Sequence, residues 1–145
     1  MSLASETSSK VRGQLTWQQT KSQLTRTAIL RAAVDCFHDL GYTSTTTENI
    51  AKQANVSRGA MLHHFPSRFE LVRATVEYLN QLRIEMFARE EIAVQQGAEH
   101  SRIEEGIDTY WRQLNTPAFI VFHELQVAAR TDAELDKVVT PALQE

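Results

Sequence analysis

Residues 47–65 decide the fold of this chain, and they read T-E-N-I-A-K-Q-A-N-V-S-R-G-A-M-L-H-H-F. Apolar residues recur at helical spacing at the start of this stretch and predict a short helix over Thr47–Gln53. Asn55 can adopt the left-handed conformation that stops a helix, and Ser57 is a good cap for the next one. The stretch therefore predicts a second short helix, Arg58–His64, directly after a tight turn.

The second of these helices is too short to be stable alone. We expect Met61 and Phe65 to hold it by packing, with Val56 filling the turn. Pro66 ends it, because the residue before a proline disfavours the helical conformation. Ala51 is small at the point where the two helices would touch. This spacing is typical of a helix-turn-helix, although unrelated helical hairpins can have it as well.

Helical spacing of apolar residues predicts five further helices. The first runs from about Lys21 to Leu40, and Gly41 follows it where a left-handed C-terminal cap is needed. The others extend over about residues 68–96, 101–114, 117–130 and 132–141. The apolar side of the fifth helix in chain order is formed by Ile103, Ile107, Tyr110, Trp111 and Leu114. No segment alternates with period two for any length, so we predict an all-α protein.

Charge divides unevenly along the 145 residues. Residues 1–75 hold nine Lys and Arg against five Asp and Glu, whereas residues 76–145 hold six against thirteen, which gives the net charge of −3. This uneven charge indicates a basic N-terminal half that carries the function and an acidic C-terminal half. The alternative is chance variation on solvated faces.

Nothing in the sequence predicts a membrane partner. The longest apolar run, residues 118–122, is far shorter than the roughly 20 residues that span a bilayer. The first twenty residues lack the apolar core of a secretory signal, and the single cysteine, Cys36, has no partner for an internal disulfide. We therefore expect a cytoplasmic protein, in which Cys36 is a core residue of the first helix.

The stretch R-T-A-I-L-R-A-A-V-D-C-F-H-D-L-G-Y-T-S-T-T-T-E-N-I-A-K-Q-A-N-V-S-R-G-A-M-L-H-H-F-P-S-R-F-E-L-V, residues 26–72, resembles the DNA-binding domain of the tetracycline-repressor (TetR) family. Beyond residue 80 the likeness is one of architecture. The resemblance implies a helix-turn-helix domain over 21–67 and a helical ligand-binding and dimerisation domain over 68–145. A flexible arm over 1–20 would precede them, since that segment lacks apolar periodicity.

The function that the resemblance implies is a ligand-responsive transcriptional regulator, a repressor, that binds a palindromic operator in double-stranded DNA as a dimer. Family members close the dimer with two long C-terminal helices, and a chain ending at Glu145 is too short to contain both. We therefore expect the body to be C-terminally incomplete, with a homodimer in the full-length protein. The chain also departs from the family at Leu62, usually tyrosine, at Asn55, usually glycine, and at Arg68, usually lysine.

A recognition helix presents its N-terminal residues to base edges in the major groove. Arg58 would contact guanine, and the small Gly59 and Ala60 would let the backbone approach. The full set of predicted DNA-binding residues is Thr46, Thr47, Ser57, Arg58, Gly59, Ala60, Leu62, His63, His64 and Arg68. Several have a plain structural alternative: Thr46, Thr47 and Ser57 as caps, Arg58 as a solvated side chain, and Arg68 as a cap or a partner of Glu70.

The adjacent His63 and His64 suggest a metal site, but their neighbours argue against one. Consecutive helical residues point about 100° apart, and no Cys, Asp or Glu lies at matching spacing. His64 suits a phosphate contact instead. The sequence shows no pattern typical of a catalytic nucleophile, a metal-binding site or a phosphate-binding loop. We therefore predict no cofactor, no metal and no enzymatic activity.

Aromatic residues gather in the second half, where most of them must be core. For a small apolar or aromatic effector, the predicted contacts are Phe87, Trp111, Phe119 and His123. Leu62 and the missing C-terminal helices also leave open an alternative function, an all-α protein-interaction module that has lost specific DNA binding.

Overall fold

A computed structural model describes the backbone of residues 16–95 and 99–144. Within these residues the chain forms seven helices and no strand, which confirms the all-α prediction. The helices are α1 (Trp17–Leu40), α2 (Thr47–Gln53), α3 (Arg58–His64), α4 (Arg68–Gln95), α5 (Glu99–Leu114), α6 (Pro117–Ala129) and α7 (Ala133–Ala142).

Helix α1 begins four residues earlier than its apolar stripe predicts. Thr16 caps it with a reciprocal pair of hydrogen bonds, in which its backbone amide donates to Oε1 of Gln19 at 2.8 Å. Residues 17–20, predicted as part of a flexible arm, therefore belong to the helix. The rest of the predicted arm, residues 1–15, lies outside the described residues.

The turn between α2 and α3 has the predicted geometry. Asn55 adopts a positive φ of 54°, and the Ser57 hydroxyl accepts the backbone N–H of Ala60 at 3.1 Å. Met61 and Phe65 are 2% and 3% exposed. Because α3 has only seven residues, these caps and buried side chains are what fix its position on the domain.

Gly41 ends α1, but not as the left-handed helical cap that we predicted. Its φ is 83° while its ψ is 155°, so the chain leaves the helix in an extended direction. A Cβ here would lie 3.2 Å from Oε1 of Glu124 on α6. The same oxygen accepts the backbone N–H of Tyr42 at 2.7 Å. Glycine thus provides both the backbone conformation and the close approach of α6.

Helix α4 joins the two halves of the molecule, since it packs against α1 as well as α5, α6 and α7. One continuous hydrophobic core runs from the helix-turn-helix into the body. Its largest fully buried side chains are Phe37, Ile29, Ile50, Leu71, Leu79, Leu125, Val76, Val121 and Val139. Cys36 lies in this core as predicted, and burial raises the pKa of its thiol.

Helix α5 departs from this pattern. It packs against α4 and α6, yet much of its apolar side faces solvent: Ile103 is 69% exposed, Ile107 63% and Trp111 67%. The sequence identifies this side correctly as apolar but cannot show what, if anything, covers it. Among the helices in the described residues, none is both long and apolar enough to span a membrane.

Candidate nucleic-acid interface

The outward face of α3 is formed by residues one turn apart. Arg58 and Leu62 share one line along the helix, and Gly59 and His63 share the next. All four are exposed, while Met61 between them points into the core. The fold therefore leaves open the face that the sequence assigns to DNA.

The N-terminal half of α2 borders this face. Together with α3 it lines a hollow of about 60 Å³, whose walls are Thr47, Glu48, Ala51, Arg58, Met61 and Leu62. The hollow brings together three of the predicted DNA-binding residues from two helices, namely Thr47, Arg58 and Leu62.

Glu48 was not predicted and lies at the rim of the hollow. Its carboxylate accepts a hydrogen bond from its own backbone N–H and another from the Thr47 hydroxyl at 3.2 Å. These bonds, with a smaller contribution from the nearby Arg58 charge, lower the pKa of this carboxyl. Glu48 and Arg58 thus place opposite charges on the walls of the same hollow.

The two capping hydroxyls are engaged in different ways. Thr46 caps α2, and its hydroxyl donates to Oδ1 of Asn49 at 2.7 Å while it accepts that residue's backbone N–H. Ser57 caps α3 as an acceptor, which leaves its O–H to donate elsewhere. Of the two, Ser57 is better placed to donate to a phosphate.

His63 and His64 lie at the other end of α3. Their rings meet edge to face, with centroids 5.4 Å apart and planes at 73°. Burial lowers the pKa of His64, and the charges of His63 and Arg26 lower it further. In the part of the chain that the structure describes, there is no group of three or more His, Cys, Asp or Glu able to hold a metal ion.

Arg26 is a cation of this surface that sequence reasoning missed. It is exposed on α1, and its guanidinium lies 5.0 Å from the centroid of the Phe65 ring, close to the end of α3. No local pattern could identify it, because only the tertiary fold brings Arg26 of α1 beside Phe65 and His64. It extends the basic surface past the end of the recognition helix.

Arg68, predicted to contact a phosphate, has a different role in the structure. Its guanidinium donates to the carbonyl oxygen of Thr45 at 2.6 Å and to that of Tyr42 at 3.0 Å. It also lies 5.2 Å from the centroid of the Tyr42 ring. Two of the five guanidinium donors are thus used within the protein, and we propose that Arg68 serves the joint between head and body rather than the interface.

Comparison with known proteins agrees with this geometry. The model of the family described as bacterial regulatory proteins, tetR family, matches residues 29–75, from the buried part of α1 to the first turns of α4. Residues 29–75 therefore match the DNA-binding domain of the tetR family. The family is one of transcriptional regulators rather than enzymes, in agreement with the prediction that this chain is not an enzyme.

The curated relatives fall into two groups by coverage. An uncharacterized HTH-type transcriptional regulator of Mycobacterium tuberculosis is 29% identical over 129 residues, covering 87% of this chain and 64% of that protein. UidR of Escherichia coli is 40% identical over 58 residues, 40% of this chain and 30% of that protein. TtgR of Pseudomonas putida is 39% identical over 61 residues, which cover 42% of this chain and 29% of that protein. The chain thus spans about two thirds of the length of the first relative.

A solved structure shows the same fold beyond the head. The multidrug binding protein EbrR, in complex with imidazole, superposes with a TM-score of 0.61 at 21% identity. The match covers 82% of this chain and 66% of that one. The helical fold of this chain is therefore like that of EbrR over most of its length.

Two of the four predicted effector contacts come together in the body. Phe87 of α4 and Phe119 of α6 line a slot of about 10 Å³, barely the size of one water molecule. Its other walls are Arg83, Met86, Gln113, Thr116 and Ala118. The slot brings together two of the predicted effector contacts, but it is very narrow.

The other two predicted contacts do not line this slot. Trp111 is 67% exposed on the outer side of α5, because it lies on the helix's apolar face rather than on the face toward α4. His123 is exposed on α6, where its ring stacks on that of Phe119 at 5.8 Å. Sequence reasoning missed Arg83, whose guanidinium lies 4.2 Å from the centroid of the Phe122 ring and donates to Oδ1 of Asn80.

Proposed function

We propose that this chain is a cytoplasmic transcriptional repressor that binds double-stranded DNA with α3 in the major groove, as a dimer on a palindromic operator. The observation that carries the proposal is the open face of α3, a short helix locked by its cap and by Met61 and presenting Arg58 to solvent. Two heads related by a two-fold axis would read two half-sites, since one short helix covers only a few base pairs.

Contacts to the bases and to the backbone have separate sources in this proposal. Arg58 pairs with a guanine, which offers two acceptors in the major groove. A Cβ at Gly59 would meet only the Ser57 hydroxyl oxygen, at an ordinary 3.9 Å, so the fold itself has no need of glycine there. Its value would be the close approach of DNA. Ser57, His64 and Arg26 would contact phosphates, which set the register without reading sequence.

The ligand response would use the slot between α4, α5 and α6. Its walls combine apolar side chains with Arg83 and Gln113, the mixture expected of a small-molecule site. EbrR, which shares the fold, is named as a multidrug binding protein. Because the slot is only about 10 Å³, entry of a small aromatic effector requires Phe87, Phe119 or α5 to move, and binding would favour the widened state.

A joint at Tyr42 provides the route from that site to the head. Glu124 of α6 accepts the backbone N–H of Tyr42 at 2.7 Å, and Asp132 accepts its hydroxyl at 3.5 Å. Arg68 of α4 holds the same loop by donating to the carbonyl oxygens of Thr45 and Tyr42. A shift of α4 or α6 would therefore displace the loop between α1 and α2 and change the spacing of two heads.

The test is binding to the DNA upstream of the chain's own gene, measured at several salt concentrations. We expect Arg58→Ala to weaken specific binding by roughly 5- to 150-fold, corresponding to about 1–3 kcal/mol for a lost bidentate contact. Arg130→Ala, which removes an exposed arginine at the end of α6, is the matched control and should bind like the wild type.

Folding of both variants is checked by circular dichroism. Weak binding that is the same for all sequences, in the folded wild-type protein, would contradict the proposal and favour the interaction module. For the ligand response, a thermal-shift screen of small aromatic compounds should find stabilisers that also release DNA. A screen without any stabiliser would count against the slot.

A further inference from the structure

Leu62 is an exposed leucine on the face of α3 that the proposed function puts in the major groove. It is 46% exposed, although the residue before it, Met61, is 2% exposed. It lies one turn after Arg58 on the same line of the helix. Its side chain forms part of the hollow between α2 and α3 and borders Thr47 and Glu48 there.

The fold does not explain why this position is apolar. Leu62 lies outside the hydrophobic core and outside the set of half-buried side chains that pack against it. The core contacts of α3 come from Met61 and Phe65 instead. Because Leu62 is outside the core, its apolar side chain is available to whatever this face meets.

The major groove has one prominent apolar feature. Base edges there are hydrogen-bond donors and acceptors, except for the C5 methyl group of thymine. A leucine pressed against the polar edges would desolvate them without supplying a hydrogen bond, which is unfavourable. Against a methyl group, the same side chain removes apolar surface from water, which is favourable.

The position of Leu62 relative to Arg58 separates their targets. Four residues of helix advance by about 6 Å along its axis, and successive base pairs are about 3.4 Å apart. The two side chains therefore address different base pairs, about two steps apart. Arg58 is suited to guanine at one of them, and Leu62 to an apolar group at the other.

We propose that Leu62 determines specificity for thymine, by packing on the C5 methyl group of one thymine in each half-site, about two base pairs from the pair contacted by Arg58. The proposal rests on the proposed function, since it requires α3 to lie in the groove. At this position cytosine would be rejected because it lacks the methyl group and offers an amino group in the same region.

The experiment measures the effect of single methyl groups in the DNA. An operator is first obtained by selection from a randomised duplex pool with the wild-type chain. Each thymine of one half-site is then replaced in turn by deoxyuridine, which differs only by the missing methyl group. We expect one replacement to weaken wild-type binding about fourfold, the change that corresponds to ~0.8 kcal/mol for one buried methyl group.

Variants assign that methyl effect to Leu62. In Leu62→Ala the same thymine-to-deoxyuridine replacement should have no effect, whereas Leu62→Met, which stays apolar, should retain most of it. Val127→Ala, a truncation of an exposed side chain on α6, should keep the wild-type profile. Replacing that thymine pair by cytosine should weaken wild-type binding, and 5-methylcytosine should restore part of it.

The outcomes separate this inference from the function on which it rests. A chain that selects no sequence from the pool overturns both. A chain that binds its selected operator specifically, but with the same deoxyuridine profile in wild type and Leu62→Ala, overturns only the role of Leu62. Circular dichroism confirms that the variants are folded, as expected for a side chain outside the core.

Discussion

The helix-turn-helix head, residues 17–65, and helix α5 both carry apolar stripes at helical spacing, but only the head buries its stripe. In the head, Ile29 and Phe37 are fully buried at 0% exposure. On α5, Ile103 and Trp111 are 69% and 67% exposed. The two regions are similar as sequence patterns and opposite as packed structures.

The difference follows from the number of elements that meet at each stripe. Helix α1 packs against α2, α4 and α6, so its apolar side is enclosed. Helix α5 packs against α4 and α6 and buries the polar Gln113, while its apolar side points outward. An amphipathic pattern thus predicts a helix and its apolar side, but burial requires a second surface that the pattern does not contain.

The largest test of this comparison is a pair of aromatic truncations. Phe37→Ala should lower the free energy of unfolding by about 3–5 kcal/mol, because it leaves a cavity in the closed core of the head. Trp111→Ala removes a larger side chain but should change that free energy by less than about 0.5 kcal/mol, since Trp111 packs little in this structure. Denaturant unfolding of both variants at one protein concentration measures the difference.

The same two variants can also contradict the difference between the head and α5. A loss of several kcal/mol in Trp111→Ala would mean that the outer face of α5 is covered in solution. Repeating the wild-type measurement over a range of protein concentrations would then show whether a second copy covers it, because the stability of an oligomer depends on concentration.

A smaller effect is expected at the joint between head and body. Arg68→Met should lower the free energy of unfolding by about 2 kcal/mol, because it leaves two backbone carbonyls without their charged donor. Arg73→Met is the control, since Arg73 pairs with Glu70 and Glu77 on the exposed side of α4 and should cost less than about 1 kcal/mol. Urea titrations compare the two.

Equal effects for these two arginines would contradict the structural role of Arg68. DNA binding by the two variants adds a second readout. Arg68→Met should retain the salt dependence of the wild type, because its guanidinium makes no phosphate contact in our proposal.

The smallest predicted effect is a dependence on pH at the end of α3. In the folded protein the pKa of His64 lies below its ordinary value of 6.5. Between those two pKa values the unfolded chain binds more protons, so stability should fall as the pH is lowered through about 6.5. His64→Gln should show less of this fall between about pH 7.5 and pH 5, measured by urea unfolding. If the free energy of unfolding falls equally with pH in the variant and the wild type, the lowered pKa of His64 is contradicted.

Much of the head could be predicted from the sequence because its signals are local. Asn55, Ser57 and the apolar spacing of Met61 and Phe65 lie within eleven residues and set the bounds of α2 and α3 without reference to other parts of the chain. The start of α1 was placed too late, because the capping pair of Thr16 and Gln19 precedes the apolar stripe.

The candidate site was predictable only in part. The open face of α3 follows from helical spacing once Met61 is assigned to the core. The contacts of Arg26, Arg68 and Arg83 could not be predicted in this way. An arginine side chain can be solvated, pack on an aromatic ring or donate to a carbonyl oxygen, and its neighbours in the sequence do not decide among these. Trp111 is exposed on the outer side of α5, and its predicted effector contact stays a prediction.

By itself, the sequence determined the all-α class, the helix-turn-helix and the residues facing outward on α3. These depend on hydrogen bonds and capping interactions between residues a few positions apart, which a linear pattern records directly. The tertiary structure alone decided that Arg68 holds Tyr42 from 26 residues away, that Arg26 lies beside the end of α3, and that α5 turns its apolar side outward. Such contacts join helices distant in the chain, so they are fixed by packing rather than by local spacing.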